Sequence, residues 1–411
     1  MIQNDTKNAP LPDGWKWVKL GEVCKLRNGY AFKSSDYLNI GVPIIRISDI
    51  KEGEVLTKQS VRVRPHKDFE DCLIEKNDIL VAMSGATTGK FGIYKNTEKA
   101  YQNQRVGNFI ITQKEHLQKA FLFHQLHSLK RKIEQDAYGG AQPNISSKKI
   151  EEMEIVLPPL SIQAQIVEKL EALLSELDKG KAQLLTAQAQ LKTYRQAVLK
   201  YAFEGKFTGG VDGWEWVKIA QISEVNTGVT PLRSNKSFWE NGHIAWVTSG
   251  ALNNEYVSEA KEFITETALK SNSLKLYPKN TLLVALYGEG KTRGKCSELL
   301  IQSTTNQAIA GIVLKEEFRG SRKFLKLFLL KKYDDLRKLA SGGVQPNLNL
   351  SLIKNTEVPF PPLSTQAQIV QEIESRLSVC DKLEETLKTS LAQCETLRQS
   401  ILKRAFEGKL V

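Results

Sequence analysis

The chain has 411 residues, ordinary apolar and charged fractions of 41% and 25%, and a net charge of +12 at neutral pH. This length allows two to four domains, and the polar N-terminus lacks the basic start and apolar run of a signal peptide. The apolar runs are shorter than the roughly 20 residues needed to cross a bilayer, and the cysteines are scattered without CxxC spacing. The sequence therefore predicts a reduced, cytoplasmic protein without a membrane partner.

The first element in the chain is also the first of three segments that recur about two hundred residues later. The recurring pairs are GWKWVKLGEVCKLRNG (14–29) with GWEWVKIAQISEVNTG (213–228), PPLSIQAQIVEK (158–169) with PPLSTQAQIVQE (361–372), and RQAVLKYAFEGK (195–206) with RQSILKRAFEGK (398–409). Solenoid units are much shorter, at roughly 20–50 residues, so this is a duplicated domain with its linker. The intervening regions, 30–137 and 229–340, are mostly unrelated in sequence. A constant frame therefore carries two different inserts.

Each insert is predicted to be an α+β region. Short β-prone runs lie at corresponding places, namely PIIRISDI (43–50), DILVAMSG (78–85) and VGNFIIT (106–112) in the first insert and HIAWVTSG (243–250), TLLVALYG (281–288) and AIAGIVL (308–314) in the second. Helical stretches near 115–136 and 321–339 follow. We therefore expect the two inserts to share one fold and to differ in surface.

A glycine-rich turn follows one apolar strand of each insert, SGATTGKFG at 84–92 and YGEGKTRGK at 287–295. Neither turn has the GxxxxGK[ST] spacing of a Walker A loop. Such turns can bring backbone amides and cations to a nucleic-acid phosphate, but they often merely connect strands. On the first interpretation the candidate DNA contacts are Thr87, Thr88, Lys90, Lys291, Thr292 and Arg293, with the lysines on phosphate and Arg293 on guanine.

Catalytic and metal-binding motifs are missing from the sequence. The five histidines have no zinc-ligand spacing, and there is no GxSxG, HExxH or NPPY/DPPY motif. This pattern is typical of a protein that recognises rather than reacts. Trp15, Trp17, Trp214 and Trp216 could stack on bases, but their near-identical setting in both repeats favours a scaffold role.

A long helix is predicted after each Pro-Pro pair, with Ser161 and Ser364 as N-caps. Apolar residues recur every seven positions, namely Leu170, Leu177, Leu184, Leu191 and Val198 in the first helix and Ile373, Cys380, Leu387, Cys394 and Ile401 in the second. A second row of the first helix is expected at Ile166, Leu173, Ala187, Tyr194 and Tyr201. Heptads indicate coiled-coil-like pairing, and two helices of about 65 Å in one chain would most simply pack antiparallel. The alternative is that each helix packs on its own globular domain.

The positive charge is concentrated on the inserts. Residues 1–155 and 211–357 each carry +5, whereas 156–210 and 358–411 carry +2 and 0. This distribution is expected if the inserts face a polyanion, although an excess this modest also fits a basic protein without a nucleic-acid partner.

The GWxWVKLGE-like openings, PPLSxQAQIV helix starts and closing AFEGKL together resemble the specificity subunit of type I restriction–modification systems over essentially the whole chain. The resemblance implies target recognition domains at 1–155 and 211–357, each reading half of a split double-stranded DNA site, and spacer helices at 156–210 and 358–411. It also implies two methyltransferase subunits docked on the helices and two restriction/translocase subunits. S-adenosylmethionine, ATP and magnesium would belong to those partners, so this chain would be non-catalytic and hold no cofactor or metal.

The predicted fold is therefore α+β, with two mixed α/β target recognition domains separated by two long antiparallel coiled-coil-like helices in a pseudo-twofold internal repeat. The predicted helix seam and subunit interface comprises Leu170, Leu177, Leu184, Leu191, Val198, Ile373, Leu387 and Ile401. Two alternatives stay open: a coiled-coil protein-interaction scaffold without specific DNA binding, and a self-contained methyltransferase or nuclease. Salt-dependent retention on duplex DNA would distinguish the scaffold, and activity of the isolated chain would reveal an enzyme.

Overall fold

The computed structural model describes residues 11–137, 143–287, 292–341 and 348–411, with the backbone alone for 339–341. The chain divides into two compact units, 1–184 with 389–411, and 185–388. Each unit thus combines one insert with part of each long helix. Among the described residues, no helix is long and apolar enough to cross a membrane.

The first unit is built around a five-stranded sheet. In chain order the elements are β1 (Lys16–Lys19), α1 (Leu20–Val23), β2 (Cys24–Asn28), β3 (Val42–Ile45), β4 (Gly53–Glu54), β5 (Arg62–Val63), β6 (Leu73–Ile74), β7 (Ile79–Ala82), β8 (Phe91–Ile93), β9 (Ala100–Gln102), β10 (Val106–Ile111), α2 (Lys119–Ala137), α3 (Ser147–Glu151), β11 (Glu154–Leu157) and α4 (Leu160–Phe203). The main sheet has the order β2-β10-β7-β8-β4, beside a four-stranded sheet β5-β3-β9-β6 and a ribbon β1-β11. Helix α2 covers the main sheet, with Phe121 and Leu126 packed in one core with Val81 and Phe109.

The second unit repeats the main sheet and the ribbon of this plan, beside a smaller sheet of three described strands instead of four. Its elements are β12 (Glu215–Lys218), α5 (Ile219–Ile222), β13 (Ser223–Thr227), β14 (Ile244–Val247), β15 (Tyr256–Val257), β16 (Glu262–Ile264), α6 (Glu266–Ser271), β17 (Leu282–Ala285), β18 (Cys296–Leu299), β19 (Thr304–Thr305), β20 (Ile309–Leu314), α7 (Arg322–Ser341), α8 (Leu350–Lys354), β21 (Glu357–Phe360) and α9 (Leu363–Phe406). The main sheet, β13-β20-β17-β18-β15, has the same order as its counterpart. The predicted mixed α/β class of both inserts is confirmed.

Several strands are shorter than the runs that predicted them, including HIAWVTSG, where β14 ends at Val247, and PIIRISDI. PIIRISDI contributes β3 only as far as Ile45, and a 3-10 turn at Ile47–Asp49 follows. The Asp49 carboxylate accepts the backbone N–H of Arg46 at 2.9 Å, which turns the chain away from the extended conformation. A hydrogen bond to a nearby polar side chain therefore ends the strand although the apolar sequence pattern continues.

The constant opening segment ends on a glycine in both repeats. A Cβ on Gly29 would overlap the backbone carbonyl oxygen of Gln102, and a Cβ on Gly228 would overlap that of Thr305. Any other residue would force two backbones apart, so close packing explains why this position is glycine twice.

The long helices begin two residues earlier than the serine N-caps predict, so these caps are wrong. Helices α4 and α9 start at Leu160 and Leu363, which places Ser161 and Ser364 inside the first turn. The preceding proline takes the cap position, because the carbonyl of Pro159 accepts the N–H of Gln163 at 2.9 Å and the carbonyl of Pro362 accepts that of Gln366 at 3.0 Å.

A buried glutamine instead fixes each helix start. Gln163 donates from Nε2 to the carbonyl oxygens of His116 and Pro158 at 2.6 and 2.8 Å. Gln366 donates in the same way to the carbonyl oxygen of Pro361 at 2.9 Å. The repeated Gln of PPLSxQAQ therefore ties the helix to its own connecting segment.

Each unit contains two antiparallel helix segments that also pack on its insert. In the first unit, Ile166 of α4 and Leu402 of α9 share a core with Phe121. In the second unit, Phe203 of α4 and Ile369 of α9 share a core with Phe324. Pairing on the globular domain and pairing between helix segments therefore both occur within each unit.

Ion pairs show the direction of the helix segments inside each unit. In the first unit, Asp178 pairs with Arg398 and Lys181 pairs with Glu395. The residue numbers rise along α4 as they fall along α9, so the two segments are antiparallel. In the second unit, Arg195 Nη2 lies 2.6 Å from an Asp381 carboxylate oxygen, and the Arg376 guanidinium carbon lies 4.8 Å from the Phe207 ring centroid, so the numbers again run in opposite directions.

The helix residues of the first predicted seam lie inward. Leu170 and Val198 are buried, while Leu177, Leu184, Leu191, Leu387 and Ile401 are half-buried and Ile373 is buried. The predicted second row is wrong at Leu173, Tyr194 and Tyr201, which are 37%, 44% and 48% exposed. Buried residues such as Leu174 and Ala202 instead lie four positions after the first seam. A helix of about 3.6 residues per turn drifts against a seven-residue repeat, which moves the second row by one position.

All five cysteines are free. Burial raises the pKa of the Cys24 thiol to about 12, and burial likewise raises that of Cys296 to about 12. Both thiols are therefore protonated, unreactive core groups at neutral pH.

Candidate nucleic-acid interface

Three loops emerge at one end of each five-stranded sheet. In the first insert, Asn28 at the end of β2 pairs with Gly107, and Ala82 at the end of β7 pairs with Val106 at the start of β10. The loops after β2, after β7 and before β10 must therefore meet. We call these groups the loop ends, comprising 28–36, 83–90 and 103–105 in the first insert and the described residues 227–236, 286–287, 292–295 and 306–308 in the second.

The glycine-rich turns of the two loop ends have equivalent positions that the sequence comparison misaligned. Gly89 donates its N–H to the carbonyl of Ala82 at 2.9 Å, and Gly294 donates to that of Ala285 at 2.9 Å. Lys90 and Lys295 come next, so the counterpart of Lys90 is Lys295 rather than Lys291. Lys291 lies outside the described residues.

Sequence reasoning therefore missed Lys295 as a candidate. The signal that could have found it is the tetrapeptide TTGK at 87–90, which recurs as TRGK at 292–295. The second turn is two residues longer ahead of this tetrapeptide, and the longer turn hid the match.

The two threonines of the first turn bond within their own domain. Thr87 donates its hydroxyl to the carbonyl oxygen of Ile47 at 3.1 Å, and Thr88 donates to that of Gly85 at 2.7 Å. Thr88 is also buried, at 7% exposure. This geometry argues against the predicted DNA contacts at Thr87 and Thr88 and gives both a role in shaping the turn.

The lysines of the two turns differ in their surroundings. Lys90 is half-buried and has no carboxylate partner among the described residues. Lys295 donates from Nζ to the Asn253 side-chain oxygen at 3.0 Å, and Thr292 donates its hydroxyl to the same oxygen at 3.2 Å. Arg293 is half-buried, with its Nε buried and unpaired. The first turn thus presents a cation without a fixed partner, and the second holds its cation beside an amide.

A repeated Asn-Gln pair joins the loops. Gln104 donates its backbone N–H to the carbonyl of Tyr30 at 2.9 Å. In the second insert the side-chain oxygen of Gln307 accepts the Thr230 hydroxyl at 2.6 Å, and the carbonyl of Ala308 accepts the N–H of Leu286 at 2.8 Å. Both glutamines are exposed at the same backbone position. Their constant spacing in the sequence was the available signal.

The next position differs between the inserts. Arg105 is exposed in the first insert and donates from Nη1 to the Ser84 hydroxyl oxygen at 3.2 Å. Ala308 occupies this place in the second insert. The same backbone position therefore presents an exposed guanidinium in the first loop end, whereas in the second loop end its side chain is a buried methyl group.

The tryptophans of the repeated opening separate into two roles. Trp15 and Trp214 pack against the cores of their units, whereas Trp17 and Trp216 are 37% and 66% exposed on the short ribbons. Within the described part of the chain, no group of three or more His, Cys, Asp or Glu side chains is arranged to hold a metal ion.

Comparison with known proteins defines the class to which this fold and these loop ends belong. The family model described as type I restriction modification DNA specificity domain matches residues 12–187 and again 211–393. The chain belongs to this family. The membership confirms the prediction of a non-catalytic type I specificity subunit.

Among curated relatives, the EcoBI specificity subunit of Escherichia coli is 27% identical over 99% of this chain and 89% of its own length. The EcoKI specificity subunit of Escherichia coli strain K12 is 26% identical over 97% of this chain and 90% of its own length. The chain is thus similar to these type I restriction enzyme subunits over nearly their whole length.

Solved structures show the same fold. A chain from a structure of the complex assembly and conformational transition of the type I R-M system has a TM-score of 0.78 at 20% identity, covering 97% of this chain and 99% of that one. The HsdS subunit from Thermoanaerobacter tengcongensis has a TM-score of 0.61 at 19% identity, with coverage of 98% and 99%.

Proposed function

We propose that this chain is the DNA recognition subunit of a type I restriction–modification complex, and that each insert reads one half of a bipartite, asymmetric DNA site. The observation that carries this proposal is that matching backbone positions present different side chains. Lys90 and Lys295 follow equivalent glycines, which suits sequence-neutral phosphate contacts. At another matching position Arg105 is exposed in the first insert and Ala308 is buried in the second, and such a difference suits base readout by the first insert.

The long helices are proposed to act as an antiparallel coiled-coil-like spacer that relates the inserts by a pseudo-twofold repeat. Support comes from the ion pairs of Asp178 with Arg398 in the first unit and of Arg195 with Asp381 in the second. Within each unit the residue numbers of such contacts run in opposite directions, as expected for antiparallel helices.

The same helices are proposed to dock two methyltransferase subunits, which two restriction/translocase subunits join. In the second unit, Leu191, Tyr194, Val379 and Leu383 line a groove of about 530 Å³, and the last three are 44%, 56% and 48% exposed. Such an apolar surface supports protein docking. S-adenosylmethionine, ATP and magnesium would be held by those partners, and the complex would act on cytoplasmic DNA.

Exchange of one insert tests the division of specificity. Residues 30–137 are replaced by the corresponding insert of a relative, the chain is assembled with its methyltransferase subunits, and the modified DNA is sequenced. We expect one half of the methylated site to change and the other half to remain. A change in both halves, or in neither, would contradict the proposal.

The family membership favours this function over a protein-interaction scaffold. A direct test is retention of the assembled complex on duplex DNA at increasing salt. Phosphate contacts should make the affinity fall steeply with salt concentration, whereas a scaffold would show little retention at any concentration.

A further inference from the structure

The loop that follows Gly228 begins where the constant segment of the second repeat ends. Residues 229–236 belong to the loop end, and Val229 donates its N–H to the carbonyl of Thr305 at 3.1 Å. The loop therefore starts from a fixed point and carries sequence that the first repeat does not share.

Two tryptophans hold the backbone of this loop. Trp246 donates its indole N–H to the carbonyl oxygen of Val229 at 3.0 Å, and Trp239 donates to that of Leu232 at 3.2 Å. The two rings meet edge to face with centroids 5.2 Å apart. Trp246 is only 2% exposed, so the first bond is anchored in the domain interior.

Arg233 completes this anchor and is occupied by it. Its guanidinium carbon lies 4.0 Å from the Trp239 ring centroid and 4.9 Å from that of Trp246. Both terminal nitrogens bond the Glu262 carboxylate, Nη2 at 3.0 Å. Because the guanidinium stacks on both rings and bonds Glu262 with both terminal nitrogens, Arg233 holds the loop in place. The same nitrogens are therefore not available for a bidentate contact with guanine.

Two apolar side chains of this loop are exposed, beside the polar Ser234 and Lys236. Leu232 is 65% exposed and Val229 is 42% exposed, whereas Pro231 between them is buried. Because the indole N–H groups of Trp239 and Trp246 fix the loop backbone, the exposed Leu232 has a defined position from which it can contact a ligand. In the major groove of DNA, the apolar group that a base pair offers is the C5-methyl group of thymine.

We infer that Leu232 is a specificity-determining residue, which contacts the C5-methyl group of a thymine in the half-site that the second insert reads. This inference rests on the proposed function. Trp239, Trp246 and Arg233 are positioning residues that fix the Leu232 backbone.

The neighbouring Gln307 supports the same preference for A·T base pairs. Its Oε1 accepts the Thr230 hydroxyl at 2.6 Å, which fixes the orientation of the amide beside the loop. Glutamine amides pair with the N6 and N7 atoms of adenine. The second loop end is therefore suited to a half-site that contains A·T pairs.

The test combines a DNA change with a protein change. Insert exchange first assigns the half-site, and each thymine in it is then replaced by uracil, which removes only the methyl group. With the assembled methyltransferase complex, we expect one replacement to weaken binding about fourfold, the value of one buried methyl-sized group. In Leu232→Ala the same replacement should have no effect.

Leu300→Ala is the matched control, because Leu300 is 40% exposed and follows β18 at the opposite end of the same sheet. This variant should keep the full response to uracil. A wild-type complex that does not respond to any uracil, or a Leu232→Ala complex that responds like wild type, would overturn the inference. A second half-site without an A·T pair would also overturn it.

Failure of the proposed function would look different, because the complex would then bind no bipartite site at all.

The positioning residues give a further readout. Trp246→Phe keeps a ring but removes the indole donor, so it should reduce the thymine-to-uracil ratio at the second half-site and leave discrimination at the first half-site unchanged. Equal loss at both half-sites would contradict the positioning role.

Discussion

The two inserts share strand order, but different side chains fill the space between the main sheet and its helix. Aromatic rings fill it in the first insert, and a buried ion pair fills it in the second. In the first insert, the Phe91 ring lies 5.7 Å from that of Phe123 and 4.7 Å from that of His127. In the second, Lys326 takes the place of Phe123 on the helix and is only 5% exposed, paired with the buried Glu298 at 3.4 Å. The fold therefore requires that this space be filled and that polar groups in it be paired. The side chains that fill it can be either aromatic or charged. That tolerance lets inserts diverge inside a constant frame.

The loop ends show the same relation. In the first insert, Tyr30 packs 5.0 Å from Phe32 and 4.9 Å from Phe69, measured between ring centroids. In the second, indole N–H groups of Trp239 and Trp246 hold loop carbonyls. Both inserts immobilise the loop after the constant glycine with aromatic rings. In the first insert a backbone N–H, that of Gln104, bonds the Tyr30 carbonyl, whereas in the second the rings themselves donate to the loop carbonyls.

The largest expected effect comes from breaking the buried charges of the second insert. Burial lowers the pKa of Lys326, but hydrogen bonds to Glu255 and Tyr256 outweigh burial and leave the pKa raised. Lys326→Met should destabilise the second unit by about 3 kcal/mol, because Glu298 would lose one partner while buried. Hydrogen exchange measured by mass spectrometry would locate the loss in the second unit.

The control for this change lies on the same helix. Lys323 is 60% exposed and pairs with Glu374 at 2.9 Å, so Lys323→Met should change stability by at most about 0.5 kcal/mol. Replacing Lys326 by Phe and Glu298 by Ile together installs the residues of the first insert and should recover most of the lost stability. A double variant as unstable as Lys326→Met would show that the two interiors are not interchangeable.

The first insert should instead be sensitive to acid. Burial, and then the neighbouring His124, lower the pKa of His127 to about 4, and burial also lowers the pKa of His124. The unfolded chain, with a histidine pKa near 6.5, binds more protons between these values. Stability is therefore complete above pH 6.5 and falls as the pH drops towards 4, by about 2 kcal/mol for the partly exposed His127.

Thermal unfolding of wild type and His127→Leu at pH 7 and pH 4.5 would measure this effect. Leu330 occupies the corresponding place in the second insert, so leucine is compatible with the fold. The variant should lose part of the acid sensitivity that wild type shows. Identical pH dependence in the two proteins would exclude His127 as the cause.

The sequence predicted those elements whose signal is local. The runs ILVA and LLVA are buried along their whole length as β7 and β17, and the helices after each Pro-Pro pair extend to Phe203 and Phe406. The Ser161 cap was wrong because proline carbonyls compete for the same position. The bond from Trp246 to Val229 joins residues 17 positions apart, so no local pattern could have revealed that loop anchor.

The smallest expected effect separates the two TxGK turns. Lys90 lacks a carboxylate partner among the described residues, whereas Lys295 is held by Asn253 at 3.0 Å. Loss of one phosphate contact should reduce the slope of log affinity against log salt by about 1 and weaken all DNA sequences alike. Lys90→Ala and Lys295→Ala should therefore each lower affinity of the assembled complex without changing the methylated site, with the larger salt effect for Lys90. Lys76, exposed at the opposite end of the first sheet, is the matched control. Lys291→Ala, measured in the same assay, tests the phosphate contact that the sequence predicted at Lys291. If Lys76→Ala reduced the salt slope as much as Lys90→Ala, the turn would contribute only general charge, and the loop ends would not be where the backbone of DNA is bound.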